Sequence, residues 1–155
     1  MNIRGLLFTS LVVLIGSTAI AASPPAAVKF TLQFPTDITM NRMPSTGPSP
    51  MTTVQAGLAL ANTGQQDMTL TSPNACTSHT WTVTEAGSDA VIDSRSICTM
   101  IFLPVDLKIA AGKSAEGSQN VMLANGLYTD GRVYTLHYRY WGYEQTANFT
   151  VHSVH

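Results

Sequence analysis

VYTLHYRYWGYEQTANFTVHSV, residues Val133–Val154, reads as two alternating runs folded about Trp141, Gly142 and Tyr143. By alternation Tyr134, Leu136, Tyr138 and Tyr140 share one face of the first run, as side chains do on a pleated strand. The second run, Gln145–Val154, returns beside it. A period of two on both sides of a glycine turn predicts a β-hairpin.

Working outward, the same punctuation recurs. Upstream lie the turns Asn125-Gly126 and Asp130-Gly131, preceded by a strand over Glu116–Leu123. Val105–Ile109 runs into the turn Ala111-Gly112-Lys113-Ser114. Strands are predicted at Thr53–Ala61, ending at Asn62-Thr63-Gly64, and at Met68–Ser72. Thr77–Thr84 and Ala90–Ser96 flank the turn Glu85–Asp89. At the front, Phe30, Leu32 and Phe34 alternate with Lys29, Thr31 and Gln33 over Val28–Phe34. Between Pro35 and Pro50 the prolines 35, 44, 48 and 50 and Gly47 predict a long loop, since proline disfavours helix and central strand alike. No segment sustains a long helical period. Seven to nine short antiparallel strands predict an all-β fold, a β-sandwich of two packed sheets.

Gly87 lies midway between Cys76 and Cys98. A hairpin centred there opposes the two cysteines, Val83 to Val91 and Thr82 to Ile92. Opposed Cα atoms lie about 4.5–5.5 Å apart, within disulfide reach. A Cys76–Cys98 disulfide at the hairpin base is therefore expected, stabilising by about 3 kcal/mol in the chain-entropy model.

The chain has 155 residues, suited to one domain. Arg4, the uncharged apolar stretch Leu6–Ile20 and Ala19-Ile20-Ala21 form the pattern of a cleavable signal peptide over residues 1–21. The stretch is shorter than the ~20 residues of a spanning helix, and Gly16, Ser17 and Thr18 weaken its end. Residues 22–27 then read as a Pro/Ala linker, and 28–155 as the domain. The expectation is export, to the periplasm or medium, where a disulfide persists, with no membrane contact after cleavage. Without Arg4, seven basic residues face nine acidic ones. That balance lacks the basic face a nucleic-acid binder needs. Charged residues make up only 11% of the chain, and threonine and serine, which suit strand surfaces, carry much of the polarity instead.

The sequence carries no complete catalytic or cofactor motif. Gly112-Lys113-Ser114 ends like a phosphate-binding loop, but Leu107 stands where that motif requires glycine. No nucleophile elbow occurs, and Cys76 and Cys98 lie too far apart for C-x-x-C redox chemistry. His79, His137, His152 and His155 form no ligand pattern. Met40, Met43 and Met51 are soft donors unaccompanied by His or Cys, which favours packed or solvated methionines over copper. Asp37, Asp67, Asp89, Asp93, Asp106 and Asp130 read as solvated turn residues. The expectation is a non-enzymatic protein without metal or cofactor.

Three segments could carry binding. The aromatic strand, with Tyr138, Tyr140 and Trp141, is either core and edge packing or a stacking platform for sugar or peptide. The proline-containing loop around Arg42 and Met43 is either a connector or a preformed recognition surface. Thr99–Pro104, with Met100, is either a buried strand or a second exposed loop.

Over about residues 53–151 the chain resembles the BsuPI-type intracellular proteinase inhibitor family. The resemblance is carried by Ala-Leu-Ala-Asn62-Thr-Gly64, Met68–Ser72, the Trp81–Val83 … Gly87 … Val91 hairpin and Leu107 … Gly112-Lys-Ser114. It continues through Asn125-Gly126-Leu127, Gly131, Tyr134–Leu136 and Asn148–Val151. It implies an immunoglobulin-like sandwich and inhibition of a serine proteinase. The signal peptide, the 28–51 segment and the cysteine pair depart from the family pattern. The other expected role is an envelope structural or ligand-binding module, taking sugar, peptide or protein on its aromatic strand.

Overall fold

The computed structural model describes residues 27–41, 50–94 and 103–154. Outside the described residues lie the expected signal peptide, Arg42, Met43, Cys98 and Met100. The described chain is all-β. Its strands are β1 (Val28–Gln33), β2 (Asp37–Asn41), β3 (Met51–Asn62), β4 (Met68–Ser72) and β5 (His79–Glu85). They continue with β6 (Val91–Ser94), β7 (Val105–Ile109), β8 (Ser114–Ala124), β9 (Val133–Tyr140) and β10 (Tyr143–Val154). A single 3-10 turn, Asn125–Leu127, links β8 to the loop before β9.

Two larger sheets, ordered β1-β3-β8 and β2-β10-β9-β5-β6, contribute to one core; β4 and β7 form a separate two-stranded ladder. Alternation decides which side chains go inward. Phe30, Leu58, Leu60, Val121 and Leu123 come from the first sheet, and Trp81, Val83, Leu136, Phe149 and Val151 from the second, all in a single buried cluster. Antiparallel and mixed pairing around a shared core fits a β-sandwich.

All nine predicted strands are present, with ends moved by a few residues. A tenth, β2, runs through the predicted loop. Its alternation is visible once sought: Ile38 and Met40 are buried, while Asp37, Thr39 and Asn41 are exposed. Prolines do not forbid it, because Pro35 precedes the strand and β2 lies at a sheet edge. It pairs in parallel with β10, so the sheet is mixed rather than purely antiparallel.

The β5–β6 hairpin corrects the predicted register. Thr82 faces Ser94 and Val83 faces Asp93, but Thr84 faces Val91, leaving Ile92 as the extra residue of a bulge. Neither predicted pair forms. Moreover, Cys76 lies in the turn before β5, which begins at His79, so it is not on the ladder as the register argument required.

At the far end of β3, buried Asn62 organises two turns. Its Nδ2 donates to the carbonyls of Gln66 (2.8 Å) and Ile109 (3.1 Å), and its Oδ1 accepts from the Gly64 N–H at 3.0 Å. Its own N–H donates to Lys113 O. The Asn62-Thr63-Gly64 turn is thereby tied to the β7–β8 connection. Asn62→Ala strands two carbonyls and an N–H, and is expected to cost about 2–4 kcal/mol. Urea melts compared with wild type measure this; a loss under about 1 kcal/mol contradicts the assigned role.

Candidate binding site

The aromatic strand divides between core and margin. Tyr138 is only 1% exposed, so its ring is core rather than ligand surface, a correction to the platform reading. The reason is its register: on β9 it faces Trp81 of β5, on the side the sheet turns toward the core. Tyr140, Trp141 and Tyr143 are half-buried and pack against the same core. The Tyr140 ring lies 5.9 Å from Phe30 and 6.4 Å from Trp141, tilted 74° to the latter. Rings so inclined do not make the coplanar surface on which a sugar stacks. Trp141 and Gly142 take φ of 50° and 86°, the two left-handed positions of a tight hairpin turn. The first is an uncommon site for a bulky side chain.

A different region carries more organisation. The 42–49 segment, which includes Arg42 and Met43, leaves the described chain at Asn41 and returns at Pro50. One residue holds both stems. Asn125 donates from Nδ2 to Asn41 O and from its backbone N–H to Pro50 O, each at 3.0 Å. Asn125 is in turn fixed by its neighbours. The Ala124 N–H donates to Asp93 Oδ2 at 2.9 Å, and the Tyr128 hydroxyl donates to the same oxygen at 3.0 Å. Asp93 is 6% exposed, which corrects its reading as a solvated turn residue. Its place on β6 is the reason: it faces Val83 of β5, on the side that the core covers.

Beneath this cluster the rings of Tyr128 and Tyr134 meet edge to face at 4.9 Å. The Tyr134 hydroxyl accepts from the Thr129 N–H at 2.7 Å, bracing the connection into β9. The stems of 42–49 thus rest on a hydrogen-bonded base reaching both sheets. Sequence reading missed Asn125, Asp93 and Tyr128. Asn125-Gly126 gave only a turn signal, whereas for Asp93 a signal existed: a hairpin centred on Gly87 sets it opposite Trp81, on the face of Val83.

Other surface features are shallower. Thr80, Thr82, His137, Arg139 and Glu144 line an open groove of about 240 Å³ on the outer face of the second sheet. Arg139 there is neutralised by Glu144 at 3.1 Å. Around Gly57 on the other outer face, Gln33, Glu116 and Ser118 border clefts of about 180 and 320 Å³. Among the described residues no three His, Cys, Asp or Glu side chains gather as a metal site. No known family model matches the chain, and no curated protein matches it significantly.

Two phenols report on the buried polar chemistry. Tyr128 is pushed well above the ordinary phenol range by burial, then by the Asp93 charge and the hydrogen bond to it. Tyr138 is raised by burial and by Tyr140 beside it. A phenol whose pKa is higher folded than unfolded favours the fold while neutral. Its stabilisation is complete below about pH 10 and drains away as pH rises above that value. Ultraviolet titration is expected to show Tyr128 and Tyr138 ionising only with alkaline unfolding. Ionisation of all five tyrosines near pH 10 in a folded protein contradicts this burial.

Proposed function

We propose that this chain is an exported, non-enzymatic, immunoglobulin-like binding module that inhibits a serine proteinase through the 42–49 segment. The observation that carries the reading is the double anchoring of that segment's stems by Asn125. An inhibitory loop occupies a proteinase cleft as an extended strand, with backbone hydrogen bonds giving affinity and one side chain filling a specificity pocket. It gains affinity when its scaffold has already removed the entropy of ordering it. Arg42 and Met43 are the proposed specificity side chains.

Several features support the immunoglobulin-like assignment. Trp81 is buried on β5, and Tyr134 near the start of β9 bonds back to Thr129, in the manner of a tyrosine corner. The N-terminal strands split between sheets, β1 pairing with β3 and β2 with β10. A Cys76–Cys98 disulfide belongs to the same proposal, joining the turn before β5 to the segment after β6 in an oxidising compartment. The resemblance to the BsuPI-type family supplies the target class and rests on the segments quoted above.

Titration against trypsin-like, chymotrypsin-like and subtilisin-like enzymes tests the function. Stoichiometric inhibition that survives long incubation is expected. Arg42→Ala should abolish it or shift its class, and Asn125→Ala should weaken it about tenfold, the equivalent of 1.4 kcal/mol. Rapid cleavage, or no inhibition of any of the three, contradicts the reading. Thiol titration without reductant is expected to find no free cysteine, and two free thiols would remove the disulfide.

A further inference from the structure

The strands at the sheet edges are not equally protected. An open edge presents unpaired N–H and C=O groups, and proteins blunt it by brevity, bulges, prolines, charges or a covering group. β6 has four residues and a bulge, and β2 has five, begins with Asp37 and follows Pro35. The β4–β7 ladder has two five-residue strands, with Pro104 just ahead of β7 and Asp106 and Lys108 within it. On β1, Lys29 is exposed and the Leu32 N–H donates to Gln145 Oε1, which caps one edge position.

β8 carries only one of these devices, the single charge of Glu116. It has 11 residues, no proline and no lysine or arginine. Its ladder with β3 runs unbroken from the Met51–Ala124 pair to the Ala61–Ser114 pair. Among the described residues no strand pairs with its second edge. Ser114, Glu116, Gly117, Ser118 and Asn120 are all exposed along it.

We propose that this edge is a self-association site, where β8 pairs antiparallel with β8 of a second copy about a twofold axis at Ser118. The product is a six-stranded sheet ordered β1-β3-β8-β8-β3-β1. A twofold interface must be complementary to itself, and an antiparallel strand pair satisfies that condition. With the axis at Ser118, the Glu116 carboxylate lies opposite the Asn120 amide of the second copy, an acceptor facing a donor, and never opposite its own counterpart. Gly117 lies opposite Gln119, and Ala115 opposite Val121, so no bulky or like-charged pair blocks approach. The backbone hydrogen bonds supply affinity, as in strand addition generally. This surface is independent of the 42–49 segment, so its failure leaves the proteinase reading untouched.

Sedimentation equilibrium of the mature protein from micromolar to millimolar concentration is the test. A concentration-dependent mass rising to two chains is expected. Ser118→Lys sets two ammonium groups directly opposite each other and should return the protein to one chain while leaving its melting temperature near wild type. Ser118→Cys gives an independent readout, because opposed Cβ atoms about 4.5–5.5 Å apart are close to bridging distance. Mild oxidation should crosslink it into a covalent dimer, whereas Thr53→Cys, on the interior strand β3, should stay uncrosslinked. A mass of one chain at every concentration overturns the proposal. So does a dimer that persists in Ser118→Lys, or one that Ser118→Cys fails to crosslink. Binding of an extended peptide by a protein that stays monomeric assigns the edge to a foreign strand, and also overturns it.

Discussion

The buried carboxylate of Asp93 sets the geometry on which the candidate site depends. Removing a carboxylate from water costs several kcal/mol unless donors replace the lost solvent. Here the donors are the Ala124 N–H and the Tyr128 hydroxyl, both on the same oxygen. Asp93 belongs to β6, at the edge of the five-stranded sheet, and Ala124 ends β8, at the edge of the other. The carboxylate therefore joins the two layers at one end. If the layers slide, the charge loses its partners, so the pairing limits their relative position more sharply than apolar packing could. Hydrophobic contact tolerates small shifts; a buried ion with two directed hydrogen bonds does not.

From that junction order passes to the surface in two steps. Ala124 precedes Asn125, whose two amide groups hold the carbonyls of Asn41 and Pro50. The spacing of the 42–49 stems is thus inherited from the buried pair rather than from the segment itself. At the opposite end Asn62 does comparable work, tying the β3–β4 turn to the β7–β8 connection. Two buried polar side chains, one near each end, lock an apolar core that would otherwise specify the arrangement less tightly. Fully satisfied polar groups of this kind give orientation, which apolar burial alone does not.

Strand positions were legible wherever alternation ran uninterrupted between turn residues, as in Val133–Val154. That reading failed at β2, where five residues of good alternation sit in a proline-rich neighbourhood whose composition dominates any short window. It failed again in the β5–β6 register, because a bulge is one extra residue that no composition marks. That single residue turned Val91 outward, whereas Asp93 keeps the inward face opposite Val83, so the misread aspartate has a different cause: an aspartate near a turn was read by its residue type rather than by its place in the alternation. For Tyr134, Leu136 and Tyr138, alternation showed that they share a face, but which face the partner sheet covers is decided by tertiary pairing. Asn125 illustrates the same limit. An Asn-Gly pair announces a turn, while the two carbonyls it holds lie 75 or more positions earlier in the chain.

Amide hydrogen exchange at Ala124 and Asn125 tests the central claim most directly. Both N–H groups stand at the start of the 3-10 turn that ends β8, where local fluctuation normally permits fast exchange. If Asp93 and Pro50 hold them as described, both exchange only through global unfolding, with protection equal to that of Leu136 in the core. Exchange of either amide by local opening, while Leu136 remains protected, would contradict a rigid base beneath the 42–49 segment.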